Sequence, residues 1–161
     1  MIKTFPDKAL LKECDSVEVF GDELQRVVDR MGMLMYAASG IGLAANQIGV
    51  SKQIVVMDAG FGQTTLINPR LENKTDESIE LEEGCLSFPG LRIKIARPEG
   101  VTVLYRCPKG EQYLSSFRGL EARVVQHEMD HLVGKTMLDH LTNSERKRVV
   151  RAWAANRYPE A

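Results

Sequence analysis

Residues 126–132, QHEMDHL, set two histidines, His127 and His131, four apart, with Glu128 directly after the first. On a helix turning about 100° per residue the histidines lie about 40° apart on one face, so both imidazoles can reach a single ion. Glu128 lies about 60° from His131, flanking such an ion without having to bind it, as a general base toward an activated water does. An ion held in a site open to substrate needs a third protein ligand. That requirement constrains the fold, because another segment must deliver a donor to this helix face. Without one, these are three polar residues that share a surface helix.

Downstream, the pattern H-E-x-x-H-x-x-G-x-x-H matches at Gly134 but places Met137 where the third histidine belongs, so that pattern fails. Glu145 is the nearest downstream glutamate for a third ligand, but it stands in TNSE, residues 142–145, where capping-box spacing favours a structural role. His140, in MLDHLT, reads as a loop or helix-end residue. Upstream, EEGCLSFPG at 82–90 sets Cys85 in a Gly-flanked turn or strand end. A thiolate combined with imidazoles binds zinc, and soft donors also suit iron. The alternative, which a lone cysteine by itself favours, is a small buried hydrophobe.

The chain of 161 residues suits a single domain, 1–161, with one sizeable core. A net charge of −1 excludes a global basic field toward DNA or an anionic membrane. No apolar run approaches the roughly 18–20 residues of a membrane span. The start, MIKTFPDKALLKECD, lacks the apolar stretch of a signal peptide. Cys14, Cys85 and Cys107 cannot all pair within the chain, which points to a reducing, cytoplasmic setting. A monomer is the default.

Leu24, Val27, Val28, Met31 and Met35 recur at spacings of three and four, predicting an amphipathic helix over 21–40 with Gly40 as its stop and the methionines as core. From Gln53 to about Phe117 the pattern changes to period two. QIVVMD, TTLIN, LRIKIAR and VTVLYR read as strands between the turn clusters AGFG, NPR, RPEG and CPKG. Helical spacing returns over Leu120–Leu132, closed by Gly134, and a last helix starts near Ser144. This order predicts an α+β fold: antiparallel sheets around a central helix bearing the two histidines, an N-terminal amphipathic helix and a short C-terminal one.

Three stretches, GIGLAANQIG at 40–49, EGCLS at 83–87 and QHEMDHLVG at 126–134, closely resemble the three signature motifs of the bacterial-type peptide deformylases, in the same order. Pro6, Asp7 and Leu10 resemble that family's entry segment, although Leu11 stands where arginine is common, and the similarity runs to about Leu141. The resemblance implies that Cys85, His127 and His131 bind one divalent ion, Fe(II) as the usual metal with zinc, nickel or cobalt as substitutes. It implies removal of the N-formyl group from the formyl-methionine that begins nascent polypeptides, with release of formate.

By the same resemblance Glu128 moves the proton, while the Gln47 side chain and the Leu86 backbone N–H stabilise the developing oxyanion. Ile41 and Gly42 are implied as backbone contacts to a peptide held like an added strand. Ile41, Leu86, Phe88, Leu120, Val124, His127 and Glu128 are candidates to line the methionine pocket, with Arg123 beside it. Gly40 and Gly42 are expected to take unusual φ values and allow close approach of the peptide. Glu83 and Asp130 are candidates to accept the second N–H of a ligating histidine. For Asp130, a solvated helix face is the alternative.

Two other functions fit parts of the pattern. Another metallopeptidase built on H-E-x-x-H needs its third ligand after His131, whereas a non-catalytic metal-binding member of the family does not need both Glu128 and Gln47. The segment SERKRVVRAWAANRYPEA carries Arg146, Lys147, Arg148 and Arg151, which suit either a ribosomal RNA surface or an ordinary solvated helix face.

Overall fold

The computed structural model describes residues 1–157. Helix α1 (Asp22–Ala37) buries Leu24, Val28, Met31 and Met35, the face that its three-and-four spacing predicts. It stops one residue earlier than a Gly40 stop requires. Ser39 takes the left-handed conformation at φ 56, and the Gly40 N–H returns to Met35 O at 2.9 Å.

Strands β1 (Gly42–Ala44), β2 (Ile54–Met57), β3 (Thr64–Lys74), β6 (Gly100–Arg106) and β7 (Gln112–Arg118) form one antiparallel sheet in the order β1-β2-β3-β6-β7. Strands β4 (Ser78–Cys85) and β5 (Phe88–Pro98) form a separate antiparallel hairpin. Every residue of β2 is buried because both of its faces are covered. Val55 and Met57 join a core with Ala122, Val124, Val125 and Leu132 of helix α2 (Gly119–Leu132). Ile54 and Val56 turn the other way, onto α1. The sheet is thus gripped between the two helices at its β1 end, and antiparallel sheets with segregated helices make the fold α+β.

A third core holds Phe88, Ile93, Ile95, Met137 and Leu138, against which Val149, Val150 and Trp153 of helix α3 (Asn143–Arg157) pack. Thr142 and Glu145 cap α3 reciprocally: Thr142 N donates to Glu145 Oε2 at 2.9 Å and Glu145 N to Thr142 Oγ1 at 3.2 Å. The last residues of the basic C-terminal segment, 158–161, lie outside the described residues.

Strands β1, β4 and β7 are absent from the strands read in the sequence. β1 has only three residues, and β4 and β7 each bury a single side chain, Glu83 and Phe117, so burial imposes little alternation on their sequences.

Candidate metal centre

Helix α2 turns His127, Glu128 and His131 inward, all of them buried. The β4–β5 hairpin closes over Leu86 and Ser87, and Cys85, the last residue of β4, is carried by that closure to the same point. Cys85 Sγ lies 3.4 Å from His131 Nε2, and the donor atoms of Cys85, His127 and His131 all fall within 4.8 Å of one another. Ligand atoms around a tetrahedral ion stand about 3.4–3.7 Å apart, as follows from bonds of about 2.0–2.3 Å. One sulfur and two imidazole nitrogens could therefore hold a single ion. Glu128 Oε2 is buried without a partner among the described residues, a polar atom left for the contents of the site.

The first histidine is oriented from behind. His127 Nδ1 lies 2.9 Å from Glu83 Oε1, which leaves Nε2 for the centre. Glu83 also accepts from Arg97 Nε at 2.5 Å, Arg97 Nη2 at 2.9 Å and Arg123 Nη1 at 2.6 Å. Burial opposes charge on Glu83, but hydrogen bonds from His127 and Arg97 outweigh it and hold the carboxyl at about 2. Burial and the neighbouring His127 keep His131 near 3, hence neutral with a lone pair to give. Burial pushes the Glu128 carboxyl up to about 7, where it can both take and return a proton near neutrality.

Gln47 sits in a short 3₁₀ turn, Ala45–Ile48, directly after β1. Its Oε1 accepts from Ala44 N at 2.8 Å, which orients the amide. Nε2 then donates to Ser87 Oγ at 3.0 Å and lies 3.6 Å from Cys85 Sγ. A cleft of about 710 Å³ opens beside these groups. Gly40, Ile41 and Gly42 line one side, the hairpin residues 82–86 and 88–92 the other, and Leu120, Val124, His127 and Glu128 its floor. Phe88 reaches the cleft although its side chain is also fully buried in the third core.

Several residues stand differently from the sequence reading. Neither Gly40 nor Gly42 is in the left-handed region; what they provide is space. A Cβ on Gly40 would meet Leu86 Cδ1 at 2.6 Å, and one on Gly42 would meet Val124 Cγ1 at 2.7 Å. Asp130 accepts no bond from His127 or His131: its Oδ2 takes Arg97 Nη1 at 3.0 Å and lies 2.8 Å from His140 Nε2. His140 is the helix-end residue that the sequence suggests, closing the 3₁₀ turn Met137–His140, and its ring ties that turn to α2. Arg123 borders the cleft, but its guanidinium is spent on the hairpin, reaching Glu83, Ile95 O at 2.9 Å and Ile79 O at 2.5 Å.

Arg97 and Ser87 are missing from the sequence reading. Arg97 had a legible signal, since it shares the inward parity of Ile93 and Ile95 along β5. Ser87 had none.

A family model described as polypeptide deformylase matches residues 1–147. A peptide deformylase of Thermotoga petrophila is 40% identical over 145 residues, covering 90% of this chain and 88% of that protein. One from Natranaerobius thermophilus is 43% identical over 139 residues, 86% and 89% of the two chains. Among solved structures, a peptide deformylase from Ehrlichia chaffeensis superposes with a TM-score of 0.91 at 34% identity, covering 97% of this chain and 95% of that one. One from Synechococcus elongatus, in complex with actinonin, gives 0.90 at 35% identity, with coverage of 96% and 87%.

Proposed function

Because the chain belongs to the polypeptide deformylase family, we propose that Cys85, His127 and His131 hold one divalent ion and that Glu128 is its proton-transfer partner. The protein is a metal-dependent hydrolase that removes the N-formyl group from the formyl-methionine of nascent polypeptides and releases formate. The observation that carries the site assignment is the convergence of Cys85, from the hairpin, with two histidines of α2 on donor atoms within 4.8 Å. It also disfavours a metallopeptidase whose third ligand follows His131, since Met137 is core and Glu145 caps α3.

When bound, the ion supplies Lewis acidity and lowers the pKa of a water toward about 7. Iron(II) is the proposed metal, on the family resemblance, and the mixed thiolate and imidazole donor set also suits zinc, nickel or cobalt. Glu128 accepts a proton on its carboxylate and delivers it to the departing amine, which leaves poorly unless protonated. Gln47 Nε2 and the Leu86 N–H stabilise the negative charge that develops on the formyl oxygen; losing one such donor typically costs about 10²–10³ in rate. Ile41 and Gly42, at the free edge of the five-stranded sheet, align the peptide as an added strand. Phe88, Leu120 and Val124 offer the methionine side chain an apolar surface.

The whole chain acts as one catalytic domain, in the cytoplasm and as a monomer. Lys147, Arg148 and Arg151 face solvent on α3 and give it a basic surface for ribosomal RNA. Loss of ribosome co-sedimentation on exchanging these three for glutamate supports that contact, and unchanged co-sedimentation removes it. The deciding experiment for the activity is formate release from a formyl-Met peptide by anaerobically purified protein, with metal analysis of the same sample. Folded, iron-loaded protein that releases no formate overturns the reading.

A further inference from the structure

The wall of the cleft opposite β1 contains a segment that its own strand does not hold. In the β4–β5 ladder Gly84 pairs with Arg92, yet the next residue, Cys85, pairs with Phe88. Pro89, Gly90 and Leu91 therefore bulge out of the hairpin without partners in β4, and all three border the cleft. Gly90, at φ +79, has nothing within 4 Å of where a Cβ would stand among the described residues, so few of these pack on the tip of the bulge.

What holds the bulge from behind is α3. Trp153 Nε1 donates to Pro89 O at 2.8 Å. The Trp153 ring lies 5.6 Å from that of Phe88, and Phe5 stacks on Phe88 at 5.1 Å. Helix α3 buries no residue completely, and this indole joins it to the body by both a hydrogen bond and ring contacts. The geometry points to Trp153 as a positioning residue for substrate grip: it fixes Pro89 and Phe88 from outside and couples the seating of α3 to the shape of the cleft. The inference rests on that cleft being the formyl-peptide site.

Trp153 is the only tryptophan of the chain, so the metal-loaded protein carries its own reporter. Titration with the product peptide Met-Ala-Ser changes Trp153 emission, saturating at the concentrations that inhibit turnover. Trp153→Ala, which loses both the ring contacts and the N–H donor, raises KM about tenfold. Its kcat stays within about twofold of wild type and its metal content is unchanged. Trp153→Phe keeps a ring and loses only the donor, so its KM falls between the two, and this variant carries the test if the alanine form does not fold. Unchanged emission at inhibitory peptide concentrations overturns the inference. So does a variant with wild-type KM, or one that loses kcat at unchanged KM. Formate release by the wild type tests the reading of the cleft; the ratio of variant to wild type tests the inference itself.

Discussion

Gly42 leaves room for Glu128 that no other residue would leave: a Cβ on Gly42 would stand 2.8 Å from Glu128 Oε1 and 3.1 Å from its Cγ, as well as 2.7 Å from Val124 Cγ1. Strand β1 is pressed onto α2 so closely that the missing side chain sets the position of the buried carboxylate. The backbone of Gly42 is one that any residue adopts, so the constraint is spatial.

Gly42→Ala should therefore act on the chemistry and spare the metal. Displacing Glu128 by a fraction of an ångström to an ångström is expected to lower kcat/KM by about 10²-fold. Metal content should stay at the wild-type level, because the atoms nearest the new methyl group belong to Val124 and Glu128 rather than to Cys85, His127 or His131. Steady-state kinetics with metal analysis checks this, and full turnover would show that the contact yields without consequence.

Replacing Glu83 tests the support behind His127. Glu83→Gln keeps the shape but removes the charge that two buried guanidiniums share, Arg97 at 2.5 Å and Arg123 at 2.6 Å. Breaking such a cluster from one side costs about 3–5 kcal/mol of stability. The loosened imidazole should weaken metal affinity by about 10–100-fold. Denaturant unfolding and competition against a chelator measure the two effects separately. An unchanged metal affinity would mean that Glu83 supports the fold alone.

Cys85→Ser separates this centre from a metallopeptidase with a downstream ligand. A hydroxyl is a poor replacement for a thiolate, so metal retained per chain and formate release should both fall sharply. A variant that keeps its metal after dialysis would assign the third ligand elsewhere.

Cys14 offers a pH test away from the centre. Burial, reinforced by the adjacent Asp15, raises its thiol from an ordinary 9.0 to about 11. The unfolded chain ionises this thiol first, so Cys14 costs nothing below pH 9.0; stability falls as pH rises from there to about 11, then levels off. Cys14→Ala should remove that part of the alkaline decline, seen as a flatter plot of unfolding free energy against pH. An identical slope would place the decline in other groups.

The sequence by itself determined the local elements and the chemistry they carry. Leu24, Val28, Met31 and Met35 mark the buried face of α1, Thr142 and Glu145 the start of α3, and the four-residue spacing of His127 and His131 a shared helical face. Each of these is a short-range relation, set by helix geometry within one or two turns. The tertiary structure alone decided what meets that face. Cys85 reaches His131 because the hairpin closes over Leu86 and Ser87, and β4 left little periodic trace because it buries only Glu83. Arg97 and Arg123 gather on Glu83 from separate elements, 14 and 40 residues away, and Asp130 turns to Arg97 and His140 rather than to His127 or His131. Trp153 holds Pro89 across 64 residues. Such contacts depend on strand register and on helix seating against sheet, which no spacing along the chain encodes.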